Sequence, residues 1–173
     1  MRRAELEPAI ALLKPELTQL GPERTADIPA GIIHGDLFVD NVMYDEPGNL
    51  VASWGRLAYD LAVTTLAFGY GRDDFRPEIV RALIDAYVAA RSASRPVTDA
   101  ERAAFGAELR FVACRFAVTR ITDVHLKREA GGAPGKNYQR YLDRLASVKQ
   151  HLAARDGLLD LPRDPQRVPL PPR

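Results

Sequence analysis

Cysteine, lysine, histidine and long apolar runs are all scarce in this chain, and each scarcity removes a class of explanation. The single cysteine, Cys114, can form no internal disulfide, and its apolar helical surroundings make it a buried, inert thiol. Histidine occurs only as His34, His125 and His151. His125 and His151 have no companions at ligand spacing and are read as non-functional, which leaves little from which to build a metal centre on clustered imidazoles. Lysine stands only at positions 14, 127, 136 and 149, so the cationic groups are nearly all arginine. No run approaches the ~20 apolar residues of a membrane span. Met1-Arg2-Arg3-Ala4-Glu5 lacks the apolar centre of a signal peptide, so a reducing cytoplasm is the expected setting. Excess charge is missing too: 24 basic against 23 acidic side chains leave +1, which advertises neither nucleic acid nor an anionic membrane as partner.

What is present is a globular composition over a length suited to one domain with a sizeable core. Residues 1–156 are expected to form that domain and 157–173 a proline-rich tail. Leu6, Ile10, Leu13 and Leu17 recur at helical spacing from about Ala4 to Leu20, with Pro8 fitting a first turn and Pro15 a kink. Gly21 to Ala30 reads as a connector. Gly31-Ile32-Ile33 and Val42-Met43-Tyr44 read as two short strands around a polar loop, with Leu50 to Trp54 as hairpin partner of the second. Leu57 to Phe68 is a short apolar helix, and Arg76 to Ala90 an amphipathic one with Ile79, Leu83, Ala86 and Tyr87 inward. Thr98-Asp99-Ala100-Glu101 is a capping box opening the longest helix, which runs to about Leu126 and is apolar almost all round between Phe111 and Val118. Gly131 to Gly135 is a loop, and Asn137 caps a last helix that ends near Arg155-Asp156-Gly157. The fold class is therefore mainly α (α+β): a helical body with a small β hairpin.

Chemistry concentrates in His34-Gly35-Asp36-Leu37-Phe38-Val39-Asp40-Asn41. Asp36 and Asn41 have the spacing of a phosphoryl-transfer loop, in which the Asp accepts the proton of the attacking hydroxyl and the Asn offers Mg²⁺ a neutral oxygen. Such transfer needs an acceptor held in line, its proton removed, and phosphate charge neutralised. His34 is read as a buttress of the loop. Asp60, in Tyr59-Asp60-Leu61-Ala62, either caps its own helix or braces the loop. A metallohydrolase using His34, Asp36 and Asp40 is the outlying alternative, since such sites recruit further ligands.

The stretch from Gly31 to Tyr44 resembles the catalytic segment of the aminoglycoside phosphotransferase and choline kinase superfamily, in particular its bacterial homoserine kinase branch. Tyr59 to Val63, Ala82 to Tyr87 with Pro96 to Glu101, and Leu109 to Leu126 point the same way. The resemblance covers about residues 5 to 153 and maps to the helical C-terminal lobe of that protein-kinase-like fold. It implies transfer of the ATP γ-phosphate, with Mg²⁺, to the hydroxyl of homoserine or a related small alcohol.

Departures from the family pattern set the expected activity. The smaller lobe, with its phosphate-covering loop and ATP-binding Lys, has no counterpart before Gly31. Ser53, in Val51-Ala52-Ser53-Trp54, falls where the family carries a second metal-binding Asp, and the stretch after it is short. A hydroxyl is a poor substitute for a carboxylate on a hard cation. The isolated, truncated chain is therefore expected to be a weak or inactive kinase, each tenfold in rate being about 1.4 kcal/mol of barrier. The alternative is a non-catalytic pseudokinase or remnant that binds nucleotide, metabolite or protein. Arg115, Thr119 and Asp123 lie four apart, and Arg120 and Asp123 three apart. They form either a structural ion network or an acceptor site in which an arginine holds a substrate carboxylate. The face belonging to the absent lobe is expected to be apolar and to be covered by a second copy or a partner chain.

Overall fold

The computed structural model describes residues 2–38, 52–71, 74–126 and 137–163. Helix α1 spans Arg2–Glu23, strand β1 Ala30–Ile33, strand β2 Ser53–Arg56 and helix α2 Leu57–Phe68. Strands β3 (Tyr70–Gly71) and β4 (Asp74–Phe75) form a minimal hairpin before α3 (Pro77–Ser92). Helix α4 (Asp99–Arg120) runs into a π turn, Ile121–His125, and α5 (Gln139–Ala154) closes the bundle. The chain is thus mainly α with small antiparallel hairpins, as its patterning predicts. No helix among the described residues is long and apolar enough to cross a membrane.

Helix α4 is the axis. Its N-terminus is a full capping box: Thr98 accepts from the Glu101 amide at 3.1 Å, and Glu101 accepts from the Thr98 amide at 2.9 Å. Leu109, Val112, Ala113, Cys114 and Ala117 are fully buried against α1, α2 and α5. Burial pushes the Cys114 thiol up to about 12, so it is inert at neutral pH. At the far end α4 stops being an α-helix. Leu126 donates to the Ile121 carbonyl at 2.9 Å, five residues back, so the helix expected to reach Leu126 widens after Arg120.

Other expectations shift for identifiable reasons. Helix α1 continues through Pro8, Pro15 and Pro22 to Glu23, so the connector begins only at Arg24. Its inward face is Leu6, Ala9, Leu13, Glu16 and Leu20, while Ile10 and Leu17 are exposed. In α3 the buried stripe is Val80, Ile84 and Val88, one residue round from the expected Ile79, Leu83, Ala86 and Tyr87. Strand β2 lies at Ser53–Arg56 and pairs antiparallel with β1. The strand expected at Val42 to Tyr44 and the loop at Gly131 to Gly135 fall outside the described residues. Asn137 accepts from the Gln139 amide at 2.9 Å, and left-handed Arg155 ends α5. Beyond it the chain does not leave the body at once. Leu159 and Leu161 are buried, and Arg81 and Arg102 donate to carbonyls of the segment from Gly157 to Pro162.

Three buried carboxylates tie the elements together, each neutralised by arginine as burial of charge requires. Glu108 on α4, with a fully buried side chain, takes Arg56 at 2.6 Å and Arg24 at 2.9 Å. Glu16 on α1 takes Arg110 at 2.5 Å and Lys149 at 2.6 Å, joining α1, α4 and α5. Glu101 pairs with Arg91 of α3.

Burial opposes ionisation of Glu16 and Glu101. Hydrogen bonds from Lys149 and Arg110 on the first, and from Arg91 and Thr98 on the second, outweigh it and hold both below the ordinary 4.5. Depressed carboxylates contribute stability that is present above their unfolded value and is lost as pH falls through their folded values. The melting temperature is therefore expected to fall steeply below about pH 4.5, and Glu16→Gln should flatten that acid limb. An unchanged acid limb in this variant would show that the pair does not set it. Glu108→Gln leaves two part-exposed arginines without their carboxylate and should cost about 2–4 kcal/mol in denaturant unfolding at neutral pH.

Candidate functional site

Strand β1 buries Gly31 and Ile33 and delivers the chain into a turn at His34 and Gly35. Gly35 has φ +79°, a left-handed conformation that a side chain would strain. The turn is held from α2. Asp60 accepts from the His34 amide at 3.2 Å and from the Gly35 amide at 2.7 Å, one carboxylate oxygen to each. Of the two readings of Asp60, the brace is therefore the observed one. The residue preceding α2 is Arg56, so Asp60 is not its N-cap.

His34 Nδ1 accepts from the Asp36 amide at 3.3 Å, which puts the proton of a neutral ring on Nε2. Nε2 is buried without a partner among the described residues. On the far side of Asp36, Phe38 packs edge-on against Phe116 of α4, with ring centroids 5.2 Å apart. Asp36 is thus fixed between a polar clamp and an apolar one.

The surroundings of Asp36 come from three helices. Burial, and next the Arg115 charge opposing it, govern Tyr59 on α2; the Asp36 carboxylate adds to the rise of this phenol. Tyr141 on α5 is also raised by burial against Arg144 and Arg120, with Asp36 again adding to the rise. The charge of Asp36 is therefore felt by both tyrosines. Arg115 lies over Phe116 at 4.9 Å and near Tyr59 at 5.9 Å, while Arg120 lies over Tyr141 at 4.6 Å. Phe116 fills the space between, 5.2 Å from Tyr141. Arg115 also meets the Tyr59 hydroxyl, and Arg120 the Tyr141 hydroxyl. Asp123 is exposed on the π turn, where the 3.6-residue repeat that would align it with Arg115 and Thr119 is broken. Asp40 and Asn41 lie outside the described residues.

Comparison with known proteins agrees with this geometry. The sequence profile of the phosphotransferase enzyme family matches residues 1–105. The chain belongs to this family. It is similar to the homoserine kinases of Methylobacillus flagellatus (35% identical over 82% of this chain), Allorhizobium ampelinum (35% over 83%) and Caulobacter sp. strain K31 (32% over 88%). The matched stretches cover 45%, 46% and 48% of those proteins, so this chain spans about half the length of these relatives.

Family membership raises the question of Mg²⁺ and nucleotide. Ser53 opens β2 opposite Ile33, exposed, and a Cβ placed on Gly35 would lie 3.5 Å from its hydroxyl. The oxygens that the described residues bring to the loop are thus the Asp36 carboxylate, the Asp60 carboxylate already engaged by two backbone amides, and the Ser53 hydroxyl. That set does not fit a hard divalent cation carrying a triphosphate.

The aromatic walls Tyr59, Tyr141, Phe38 and Phe116 are what sequence reasoning missed. Tyr59 adjoins Asp60, and Tyr141 lies three residues after Tyr138 on the last helix, but apolar spacing alone assigns such residues to a core. Asp60→Ala leaves two loop amides without their acceptor and should cost about 1–3 kcal/mol. It should also accelerate hydrogen exchange at His34, Gly35 and Asp36, and Asp60→Asn should recover part of the protection. Unchanged exchange in the alanine variant would deny Asp60 its bracing role.

Proposed function

We propose that this chain is the acceptor-side portion of a phosphotransferase, one that acts on the hydroxyl of homoserine or a related small alcohol. The observation that carries this reading is the turn that bears Asp36, whose preceding amides are held by Asp60 and whose following Phe38 is anchored on Phe116, with the Asp36 charge felt by Tyr59 and Tyr141. In that position Asp36 orients the acceptor hydroxyl and takes its proton as the bond to phosphorus forms. Pre-fixing the carboxylate removes an orientational cost from the reaction. Tyr59 and Tyr141, both kept protonated at neutral pH, supply neutral walls that exclude water without competing for the proton.

Ser53 beside the loop supports a slow or inactive enzyme as the behaviour of the isolated chain, and with it the second reading, a binding remnant. Pure chain incubated with MgATP and L-homoserine should form phosphohomoserine, detected by phosphorus NMR, at a rate several orders of magnitude below the ~10 s⁻¹ of an ordinary enzyme. Asp36→Asn should abolish even that. A rate near the ordinary value would overturn the weak-enzyme reading, and a residual rate untouched by Asp36→Asn would remove Asp36 from the chemistry.

The outer face of the β1–β2 hairpin bears directly on assembly. Ile32 and Trp54 pair across the strands and are 77% and 75% exposed. Association through this face is proposed, and sedimentation should show a species larger than 19.1 kDa that Trp54→Ser returns to monomer. A monomer at high concentration in the unsubstituted chain would exclude it.

A further inference from the structure

The turn that carries Asp36 is held one peptide group at a time, and the third group is held differently from the first two. Asp60 accepts from the His34 and Gly35 amides, so its carboxylate fixes the peptides that enter those two residues. The next peptide joins Gly35 to Asp36. Its N–H is the Asp36 amide, which donates to His34 Nδ1 at 3.3 Å, and its C=O is the Gly35 carbonyl, which accepts from the Tyr59 hydroxyl at 3.5 Å. Both contacts are long for hydrogen bonds of their type. They also grip the most permissive link of the loop, because Gly35, at φ +79°, has no side chain to restrict rotation of the plane that follows it. That plane is the soft joint of the turn, and whatever grips it sets the point from which the Asp36 side chain starts.

Tyr59 is placed to supply the grip. It adjoins Asp60 on α2, so neighbouring positions of one helix take both polar groups of one glycine: the Asp60 carboxylate its N–H, the Tyr59 hydroxyl its C=O. The phenol ring is set by Phe111 of α4, with centroids 6.2 Å apart, and by the Arg115 guanidinium 5.9 Å from its centre. Arg115 donates to the phenol oxygen, which leaves the hydroxyl proton for an acceptor and polarises it as a donor. Burial keeps that proton in place at neutral pH.

From this we infer that Tyr59 is a positioning residue for the transfer: its hydroxyl holds the Gly35 carbonyl and thereby sets the plane of the peptide from which Asp36 projects. The inference rests on the acceptor-side reading above and gives Tyr59 a duty beyond that of a wall. Tyr59 acts on the reaction only through Asp36.

Tyr59→Phe keeps the ring and removes only the hydroxyl. In the full chain, followed by NMR, its Asp36 amide should exchange with solvent at least about tenfold faster than in the parent, while the His34 and Gly35 amides stay within about twofold. The Gly35 carbonyl carbon should move upfield as it loses a donor, with the melting temperature within a few degrees of the parent. Tyr141→Phe removes the other hydroxyl whose phenol feels the Asp36 charge and should leave both loop readings unchanged. With MgATP and L-homoserine, Tyr59→Phe should lower kcat of the slow transfer by about tenfold or more and leave KM within about twofold, since the acceptor still binds and only the aim of Asp36 is lost. Unchanged exchange and carbonyl shift in Tyr59→Phe, equal loss of protection at all three amides, the same changes in Tyr141→Phe, or an unchanged kcat beside an altered loop would each overturn the assignment. The expected loop changes in a chain whose parent transfers no phosphate at all would sink the phosphotransferase reading of the isolated chain and leave the Tyr59 grip standing.

Discussion

The side chain of Glu108 has no contact with solvent, and the position of the candidate site follows from how its charge is met. Its two oxygens take Arg24 from the connector after α1 and Arg56 from the end of β2. Arg56 also donates to the Arg24 and Ala26 carbonyls at 2.6 Å, so the connector, the strand and α4 are locked by one guanidinium. Helix α2 begins at the next residue, Leu57, whose amide donates to the Pro29 carbonyl at 3.1 Å. Three residues further on is Asp60, which holds the loop. A buried charge at the centre of α4 thereby fixes the start of α2, and the start of α2 fixes the backbone around Asp36. Ionic burial gives little net stability, but it penalises every arrangement in which the partners are misplaced. Here that penalty falls on misregistration of the loop.

What was legible in the sequence was what local chemistry dictates. The capping box at Thr98, the bounds of α2 and the left-handed end of α5 all depend on residues close in the chain, and they stand as the patterning predicts. The rotation of α3 was not legible, because Ile79-Leu83-Ala86-Tyr87 and Val80-Ile84-Val88 are both apolar stripes at helical spacing. Only packing against α2 chooses between them. Nor were the buried glutamates legible. Glu108 meets partners 52 and 84 residues away in the chain, and no local rule marks a glutamate as interior when its neutralising arginine comes from another element. The π turn after Arg120 carries no local signal either.

The site divides along the same line. His34, Asp36 and Asp60 were readable because a loop that positions one carboxylate by backbone hydrogen bonds needs particular residues at particular spacings. Tyr59, Phe38, Phe116 and Tyr141 were not, since an aromatic at an apolar position reads as core until tertiary structure shows a charge beside it. Arg115 and Arg120 could be placed on a helix but not assigned a role. Two outcomes are open from sequence, an internal ion network or a recognition surface, because the neighbours that bear on the choice come from other elements. In the fold both arginines lie over aromatic faces, as buried Arg144 does.

On the proposed reading, the acceptor side of the site is held independently of the hairpin edge that carries Ser53. The acceptor side is held by Asp60, Phe38 and the three helices, all by contacts that do not involve Ser53. The identity of the side chain at position 53 therefore has no route by which to collapse the turn around Asp36. Loss of chemistry and retention of a ligand-selective pocket are compatible in one molecule for that reason. A family member that no longer transfers phosphate efficiently would lose selection for metal ligands well before its acceptor pocket decayed, because Asp60, Phe38 and Glu108 also hold the fold together.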